Sequence, residues 1–304
     1  MIEVTDLTKD FGKKRALNNL SFKVSPGKAF GLLGRNGAGK TTCIRIIMDI
    51  FPADSGKVTI DSHSPRENTR RIGYLPEERG LYPKKTIIEQ MIYIGELRGL
   101  KSHEAKRNAE NLLEQLEATE YLGRKLDTLS KGNQQKIQLA IALINDPEIL
   151  ILDEPFSGLD PVNAHILKKL VSEKVKAGRT VIFSSHQMPA VEEFCDEICI
   201  IDNGAAVLTG NLREIKRSYP RNNIYIEAEG NKRQLKDDIT RGFKPEEIEE
   251  SGGGFNVRIS DPEQRDGLLR FIADNKIKLD VFSIIEPTLE DIFIEKVGQA
   301  NESV

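Results

Sequence analysis

The chain has no tryptophan, 3 cysteines and 4 histidines in 304 residues, and it has no long apolar run. Each shortage closes off a class of protein. Cys43, Cys195 and Cys199 are too few and too scattered for a disulfide framework. Cys195 and Cys199 stand one helical turn apart, but no histidine or further cysteine completes a zinc set, so all three are expected to be reduced, mostly buried thiols. No apolar stretch approaches the roughly 20 residues that a membrane-spanning helix needs. The opening residues, Met1-Ile2-Glu3-Val4-Thr5-Asp6, lack the charged-then-apolar order of a secretory signal. The chain is therefore expected to stay in the cytosol and not to cross a membrane alone. Neither sign of charge dominates: the net charge is −3, which gives no global basic field, and nucleic acid is not an expected partner. The local cluster Lys13-Lys14-Arg15 reads as a solvated face.

With 38% hydrophobic and 30% charged residues, the chain reads as soluble and globular, long enough for one large domain plus a smaller one or for two of medium size. Glycine is concentrated in Gly34-Arg35-Asn36-Gly37-Ala38-Gly39-Lys40-Thr41-Thr42, which fits G-x-x-x-x-G-K-[ST], the phosphate-binding P-loop. Ala29-Phe30-Gly31-Leu32-Leu33 before it is short and apolar like a buried strand, and Cys43-Ile44-Arg45-Ile46-Ile47-Met48 after it can continue as a helix. The motif needs that strand–loop–helix setting. Its glycines let several backbone N–H groups turn toward one anion, and the helix N-terminus adds a partial positive charge. Lys40 can reach the β- and γ-phosphates as a point charge, and the Thr41 hydroxyl can sit on Mg²⁺. Gly34, Asn36, Gly37, Ala38, Gly39, Lys40, Thr41 and Thr42 are the candidate phosphate contacts.

Upstream, Ile2-Glu3-Val4 with Leu7, and Leu20-Ser21-Phe22-Lys23-Val24, read as strands. Phe11 lies between them and is either a core residue or an exposed ring on which adenine stacks. After the P-loop helix come a turn at Pro52–Gly56, a strand at Lys57–Ile60, a polar loop over 61–70, and the short strand Ile72-Gly73-Tyr74-Leu75-Pro76. Thr86-Ile87-Ile88-Glu89 is a capping box that starts a helix. Further helical runs from Ser102 to Glu117 and from near Ser130 make residues 86–145 a helical insertion between strand-rich parts. The apolar run Glu148–Glu154 suits a parallel strand covered on both faces. A helix at 161–176, a strand at 181–186, a helix at 188–194, a strand at 197–202 and the turn Asp202-Asn203-Gly204 continue the alternation of a parallel α/β sheet. The character changes near Arg217–Asn223. Beyond that point come short strands at Ile224–Ala228, Phe255–Ile259 and Asp280–Ile285, with helices at 261–275 and 288–297. The expected organisation is an α/β P-loop NTPase core over residues 1–217, with an N-terminal antiparallel part and a helical insertion, followed by a small α/β domain over 218–304.

Three further stretches bear on chemistry. Leu150-Ile151-Leu152-Asp153-Glu154 ends a strand in two carboxylates: Asp153 can hold Mg²⁺ and Glu154 can polarise water toward a γ-phosphate, unless the pair simply opens the next turn. Leu129-Ser130-Lys131-Gly132-Asn133-Gln134-Gln135-Lys136 precedes a helix by one turn, with Ser130 as a good N-cap. Taken alone it is a capped helix. Ser184-Ser185-His186 ends a buried strand.

Together these stretches resemble the ABC-type ATPases. The Ser130 peptide is similar to that family's signature peptide, Phe11 to its adenine-stacking aromatic, Ser157-Gly158-Leu159-Asp160 to its D-loop and His186 to its switch histidine. The motifs cover residues 1 to about 215 in the family's order. Two departures stand out. The signature reads Leu-Ser-Lys-Gly-Asn, not Leu-Ser-Gly-Gly-Gln, keeping Ser130 and Gly132. Glu77 stands where the family offers glutamine to Mg²⁺ and to the attacking water; a carboxylate could ligate the metal but brings negative charge near the triphosphate. Glu286-Pro287-Thr288-Leu289-Glu290-Asp291-Ile292-Phe293 resembles the ending of the drug- and sodium-exporter branch, and is otherwise a docked helix with a Thr288/Asp291 cap.

The resemblance implies an ATPase using ATP and Mg²⁺. Lys40, Glu154 and His186 would be catalytic, Thr41, Asp153 and Glu77 would face the metal, and Phe11, Ser130, Gly132 and Asp160 would join the P-loop in binding nucleotide. It implies two ATP molecules clamped between two subunits, most simply two copies of this chain, each P-loop facing the partner's signature. It also implies a separate integral membrane permease, exporting rather than importing, that docks near Glu77 and Leu81-Tyr82-Pro83, with this chain peripheral at the inner face of the cell membrane. The rivals are an ABC ATPase acting on ribosomes or DNA, and a regulatory module that holds ATP without hydrolysing it.

Overall fold

The antiparallel strands β1 (Ile2–Phe11) and β2 (Lys14–Val24) open the chain, and β4 (Ser55–Ile60) pairs with the other side of β1, giving the order β2-β1-β4. The first two are longer than the alternation of apolar residues suggests. Register shifts interrupt the β1–β2 ladder between Val4 and Asp10, so no single period of two runs through either strand. The computed structural model describes residues 1–78, 80–230 and 232–302, the last five as backbone; Arg79, in the loop expected to dock a permease, lies outside the described residues.

β3 (Ala29–Leu33) is buried at every position, and the P-loop follows it into α1 (Lys40–Ile47). β5 (Ile72–Leu75), β6 (Ile149–Asp153), β7 (Thr180–Ser185) and β8 (Glu197–Asp202) join β3 in a parallel sheet, and β9 (Ala205–Asn211) adds an antiparallel edge, in the order β5-β6-β7-β3-β8-β9. The core cluster draws Ile2, Leu20 and Val58 from the antiparallel sheet, Ile44 and Ile47 from α1, and Leu32, Ile151 and Ile182 from the parallel sheet. α1 is thus anchored on both sheets, which fixes where its first turn presents the P-loop.

The insertion comprises α2 (Ile87–Leu97), α3 (Ser102–Gln115) and α4 (Lys131–Ala142). The Thr86/Glu89 capping box starts α2 as expected. α5 (Pro161–Lys176) and α6 (Met188–Phe194) complete this part, and α7 (Leu212–Ser218) follows β9. One expectation needs correcting. The polar stretch 61–70 holds a 3₁₀ segment, Pro65–Arg71, with Pro65 at its first position where the missing N–H costs nothing. Cys195 follows the end of α6 at Phe194, and Cys199 belongs to β8, in keeping with the helix and strand expected there. β9 and α7 were not expected; β9 has few strongly apolar residues and is held by its ladder to β8. All three thiols are free, and burial pushes each well above the ordinary thiol range, Cys199 to about 12.

Contacts divide the chain into residues 1–212 with 296–304, and residues 213–295. The second unit runs β10 (Asn223–Ala228), α8 (Lys232–Gly242), β11 (Glu247–Ser251), β12 (Gly254–Arg258), α9 (Gln264–Asp274) and β13 (Leu279–Ile285). The strand order β11-β12-β10-β13, antiparallel throughout, makes a split βαβ arrangement over its own core of Ile224, Ile226, Phe255, Val257, Leu268 and Ile272. α8 and β11 were not expected. α8 is mainly charged with only Leu235 and Ile239 buried, and β11 is three-fifths glutamate, held by pairing with β12. α10 (Leu289–Glu302) begins at the expected cap: Asp291 N–H donates to Thr288 Oγ1 at 3.1 Å and Thr288 N–H to Asp291 Oδ2 at 2.8 Å. Among the described residues no helix is long and apolar enough to cross a membrane.

Candidate nucleotide-binding site

The P-loop leaves β3 and enters α1 through two glycines that tolerate no side chain. A Cβ on Gly34 would lie 2.4 Å from the Ile201 carbonyl oxygen, and one on Gly39, whose φ is +115°, 2.6 Å from that of Ala16. The first bond of the helix runs from Cys43 N–H to Gly39 O at 2.9 Å. The amides of Lys40, Thr41 and Thr42 therefore have no intrahelical acceptor and stand at the positive end of α1. They border a cavity of about 400 Å³, within the range of small-molecule sites. Asn36, Gly37 and Gly39 line it, with Phe11 at one side and Glu77 and Glu154 at others.

Phe11 resolves between its two readings: the ring is 51% exposed and faces the cavity, so it is not a core residue. Ala38 and Gly34 differ from their neighbours. Ala38 N–H donates to Arg35 O at 3.1 Å and Ala38 O accepts from Gly204 N–H at 3.0 Å, while Gly34 O accepts from Lys40. These two hold the loop's shape. Lys14 and Ala16, which the motifs do not single out, line the same cavity because the β1–β2 hairpin folds over the P-loop.

Beneath the cavity lies a polar cluster in an otherwise apolar sheet. Lys40 Nζ donates to Gly34 O at 2.8 Å and sits 3.4 Å from Glu154 Oε1. Glu154 Oε2 is 3.0 Å from His186 Nδ1, whose side chain is partly exposed. Thr41 Oγ1 reaches Asp153 Oδ1 at 3.5 Å. Ser184 stands opposite Asp153 in the β6–β7 ladder. Its hydroxyl donates to Asp153 Oδ1 and accepts the Glu154 N–H at 3.0 Å, so one side chain orients the Asp153 carboxylate and holds the Glu154 backbone. Nothing in the motif pattern marks Ser184; its signal is a hydroxyl at the end of an apolar strand.

Asp153 is fully buried, and its Oδ2 has no hydrogen-bond partner. Burial pushes its carboxyl above the ordinary range, against the hydrogen bonds from Ser184 and Thr41. A buried carboxylate with a vacant oxygen beside a threonine hydroxyl suits a hard cation. Among the described residues no three His, Cys, Asp or Glu side chains gather as a metal cage, so such a cation would complete its shell with phosphate and water oxygens, as Mg²⁺ does.

Ser130, Gly132 and Asp160 are not in this cavity. Ser130 caps α4, accepting the Asn133 N–H at 3.3 Å, and Asp160 caps α5, accepting the N–H groups of Val162 and Asn163. The two helix starts abut: a Cβ on Gly132 would meet Asn163 Nδ2 at 2.7 Å and Asp160 Oδ2 at 3.5 Å. They form one surface bearing two helix N-termini, separate from the P-loop cavity. Val162, 69% exposed, stands beside them.

Residues 17–157 match the family model described as ABC transporter, and residues 210–297 the one described as ATP-binding protein DrrA1-3-like, C-terminal domain. The ABC transporter ATP-binding protein YhaQ of Bacillus subtilis is 39% identical over 303 residues, 99% of this chain and 100% of the relative. Nod factor export ATP-binding protein I of Rhizobium etli is 31% identical over 305 residues, 99% of this chain and 94% of the relative. A dimeric bacterial ABC transporter cassette superposes with a TM-score of 0.65 at 25% identity, covering 70% of this chain and 99% of that one. A relative matched end to end and a P-loop backed by the carboxylates of Asp153 and Glu154 lead to the same place: the chain belongs to the ATP-binding subunits of ABC transporters, and it is an ATPase.

Proposed function

We propose that two copies of this chain close around two ATP molecules and drive a separate membrane permease, most simply an exporter, from the inner face of the cell membrane. One observation carries the reading: each copy has the P-loop cavity in one place and the Ser130–Gly132 and Asp160 surface in another, so neither encloses a phosphate until a second copy supplies the missing half. The dimeric state of the cassette neighbour supports the pairing, and the export named in the Rhizobium relative supports the direction.

In this reading Phe11 carries the adenine, the amides of Gly37, Gly39, Lys40, Thr41 and Thr42 receive the phosphates, and Lys40 turns from Gly34 O and Glu154 to the γ-phosphate. Glu154, freed of the lysine and with its backbone N–H held by Ser184, orients or deprotonates the attacking water. His186, 3.0 Å from Glu154, steadies charge on the γ-phosphate. Ser130 and Gly132 of the partner copy offer amides at a helix start to the same phosphate. Thr41 and Asp153 would hold Mg²⁺, which supplies charge neutralisation across the β- and γ-phosphates when bound. Glu77, exposed at the cavity mouth, acts mainly in coupling.

The permease docks on the region from Glu77 through the insertion, where Tyr82 (57% exposed) and Tyr93 (50% exposed) line a second recess with Lys85 and Glu89. The unit beyond residue 212 is an accessory domain of the exporter branch, a reading its match to the DrrA-like C-terminal family supports. Affinity purification from detergent-solubilised membranes tests the proposal: a polytopic membrane protein is expected to accompany the chain and raise its phosphate release. Recovery of ribosomes or DNA in place of that protein would contradict it.

A further inference from the structure

The Phe11 ring stands at the end of β1, more than half exposed, yet it is braced from behind. It meets Phe51 edge to face, with centroids 5.7 Å apart and an interplanar angle of 85°. The Lys9 ammonium lies 5.7 Å from the centroid of each ring. Lys9 is in turn paired with Asp54 Oδ1 at 2.9 Å, and Asp54 Oδ2 accepts the Asp10 N–H at 2.7 Å. Asp54 N–H donates to Thr8 O at 2.9 Å, so the carboxylate is fixed to β1 at both its backbone and its side chain. The hydrogen bond from Lys9, then that from Asp10, holds the Asp54 carboxyl below its ordinary range and keeps it charged. The Lys9 side chain is only 13% exposed, and a cation drawn out of water interacts most strongly with an aromatic face.

Phe51 and Asp54 belong to the short passage between α1 and β4, and Phe51 packs against the main core. The helix that presents Lys40 and Thr41 from its first turn therefore leads, just past its last turn, to the side chains that grip Phe11. Phosphate and base subsites are braced on one element. An unbraced ring at a hairpin end would lose rotamer freedom on stacking with a base, and that cost would come out of affinity.

We propose that Lys9, Phe51 and Asp54 form a clamp that holds the Phe11 ring in its stacking pose and so sets the part of nucleotide affinity that depends on the base. The inference rests on Phe11 being the adenine platform. The three are positioning residues; none of them lines the nucleotide cavity.

Calorimetric binding of Mg·ATP and of inorganic tripolyphosphate to the whole chain separates base from phosphate recognition. Asp54→Ala and Phe51→Leu are each expected to weaken ATP roughly three- to tenfold while leaving tripolyphosphate within about twofold. Lys9→Arg, which keeps the cation, is expected to bind ATP like the unchanged chain. Phe11→Ala sets the scale, with a loss for ATP at least as large and none for tripolyphosphate. A selective loss in Phe11→Ala but not in Asp54→Ala or Phe51→Leu would overturn the clamp and leave the platform standing. No selective loss in Phe11→Ala would overturn both. An equal loss for both ligands in Asp54→Ala would mark general damage to the site and overturn the clamp.

Discussion

Lys40 Nζ lies 3.4 Å from Glu154 Oε1, with both side chains more than nine-tenths buried. The two groups proposed to act on one phosphate are thus paired with each other, and the ammonium is further held by Gly34 O at 2.8 Å and Arg35 O at 3.4 Å. In the proposed reaction ATP replaces those contacts and so releases the carboxylate that would activate water.

The pairing makes a prediction about stability. Lys40→Met leaves Glu154 buried without its cation, and breaking such a pair from one side costs roughly 3 kcal/mol. Urea unfolding without nucleotide should show that loss. The double variant Lys40→Met with Glu154→Gln should recover most of it, because no unpaired charge is left. If the single and double variants are equally unstable, the ion pair is not what holds the two side chains.

Ser184 should matter to turnover although it touches no phosphate in the proposed reaction. Its hydroxyl joins Asp153 Oδ1 to the Glu154 N–H, and Ser184→Ala removes the hydrogen bond that orients the Asp153 carboxylate. Residues that orient metal ligands change metal affinity or activity by about 10–100-fold when removed. ATP turnover in Ser184→Ala should fall within that range, and the Mg²⁺ concentration giving half-maximal rate should rise. A lower rate with an unshifted Mg²⁺ dependence would assign Ser184 to folding alone.

Asp146 ties together the approach to β6 and the approach to β7, through Lys174 at 3.1 Å and a close contact with Arg179. Burial alone would push its carboxyl up, but the hydrogen bonds and charges of Lys174 and Arg179 outweigh that and hold it below the ordinary range. The depressed value means a stabilising contribution present above the unfolded carboxylate pKa of about 3.9 and lost as pH falls through the folded one. Since Asp146 is 54% exposed, solvent screening limits the effect to about 1 kcal/mol or less. Asp146→Asn should lower the thermal midpoint slightly at pH 7, and the gap to the unchanged chain should close below pH ~4. A gap that persists at low pH would mean the charge is not its source.

Much of this site is legible in the sequence because its parts are local. The P-loop, the carboxylates ending β6 and the capped start of α4 each fit within nine residues, and the strand or helix beside each shows in the apolar pattern. What stays hidden depends on pairing across the fold. Ser184 acquires its role from standing opposite Asp153 in a parallel ladder, 31 residues away in the chain. Lys14 and Ala16 reach the cavity only through the hairpin, and Phe11 keeps two readings until its exposure is known. In the second unit β11 escapes because glutamate-rich residues become a strand only when β12 is there to pair with them.

The central claim is that the P-loop cavity is half a site, completed by the Ser130–Gly132 surface of a second copy. Glu154→Gln keeps every proposed nucleotide contact but removes the carboxylate that would activate water. The most direct measurement is the mass of this variant in solution, by light scattering, with and without Mg·ATP. The account predicts one chain without nucleotide and two with ATP, a pair that persists because turnover is abolished. A variant that binds ATP yet keeps the mass of a single chain, or that hydrolyses ATP at the normal rate, would contradict it.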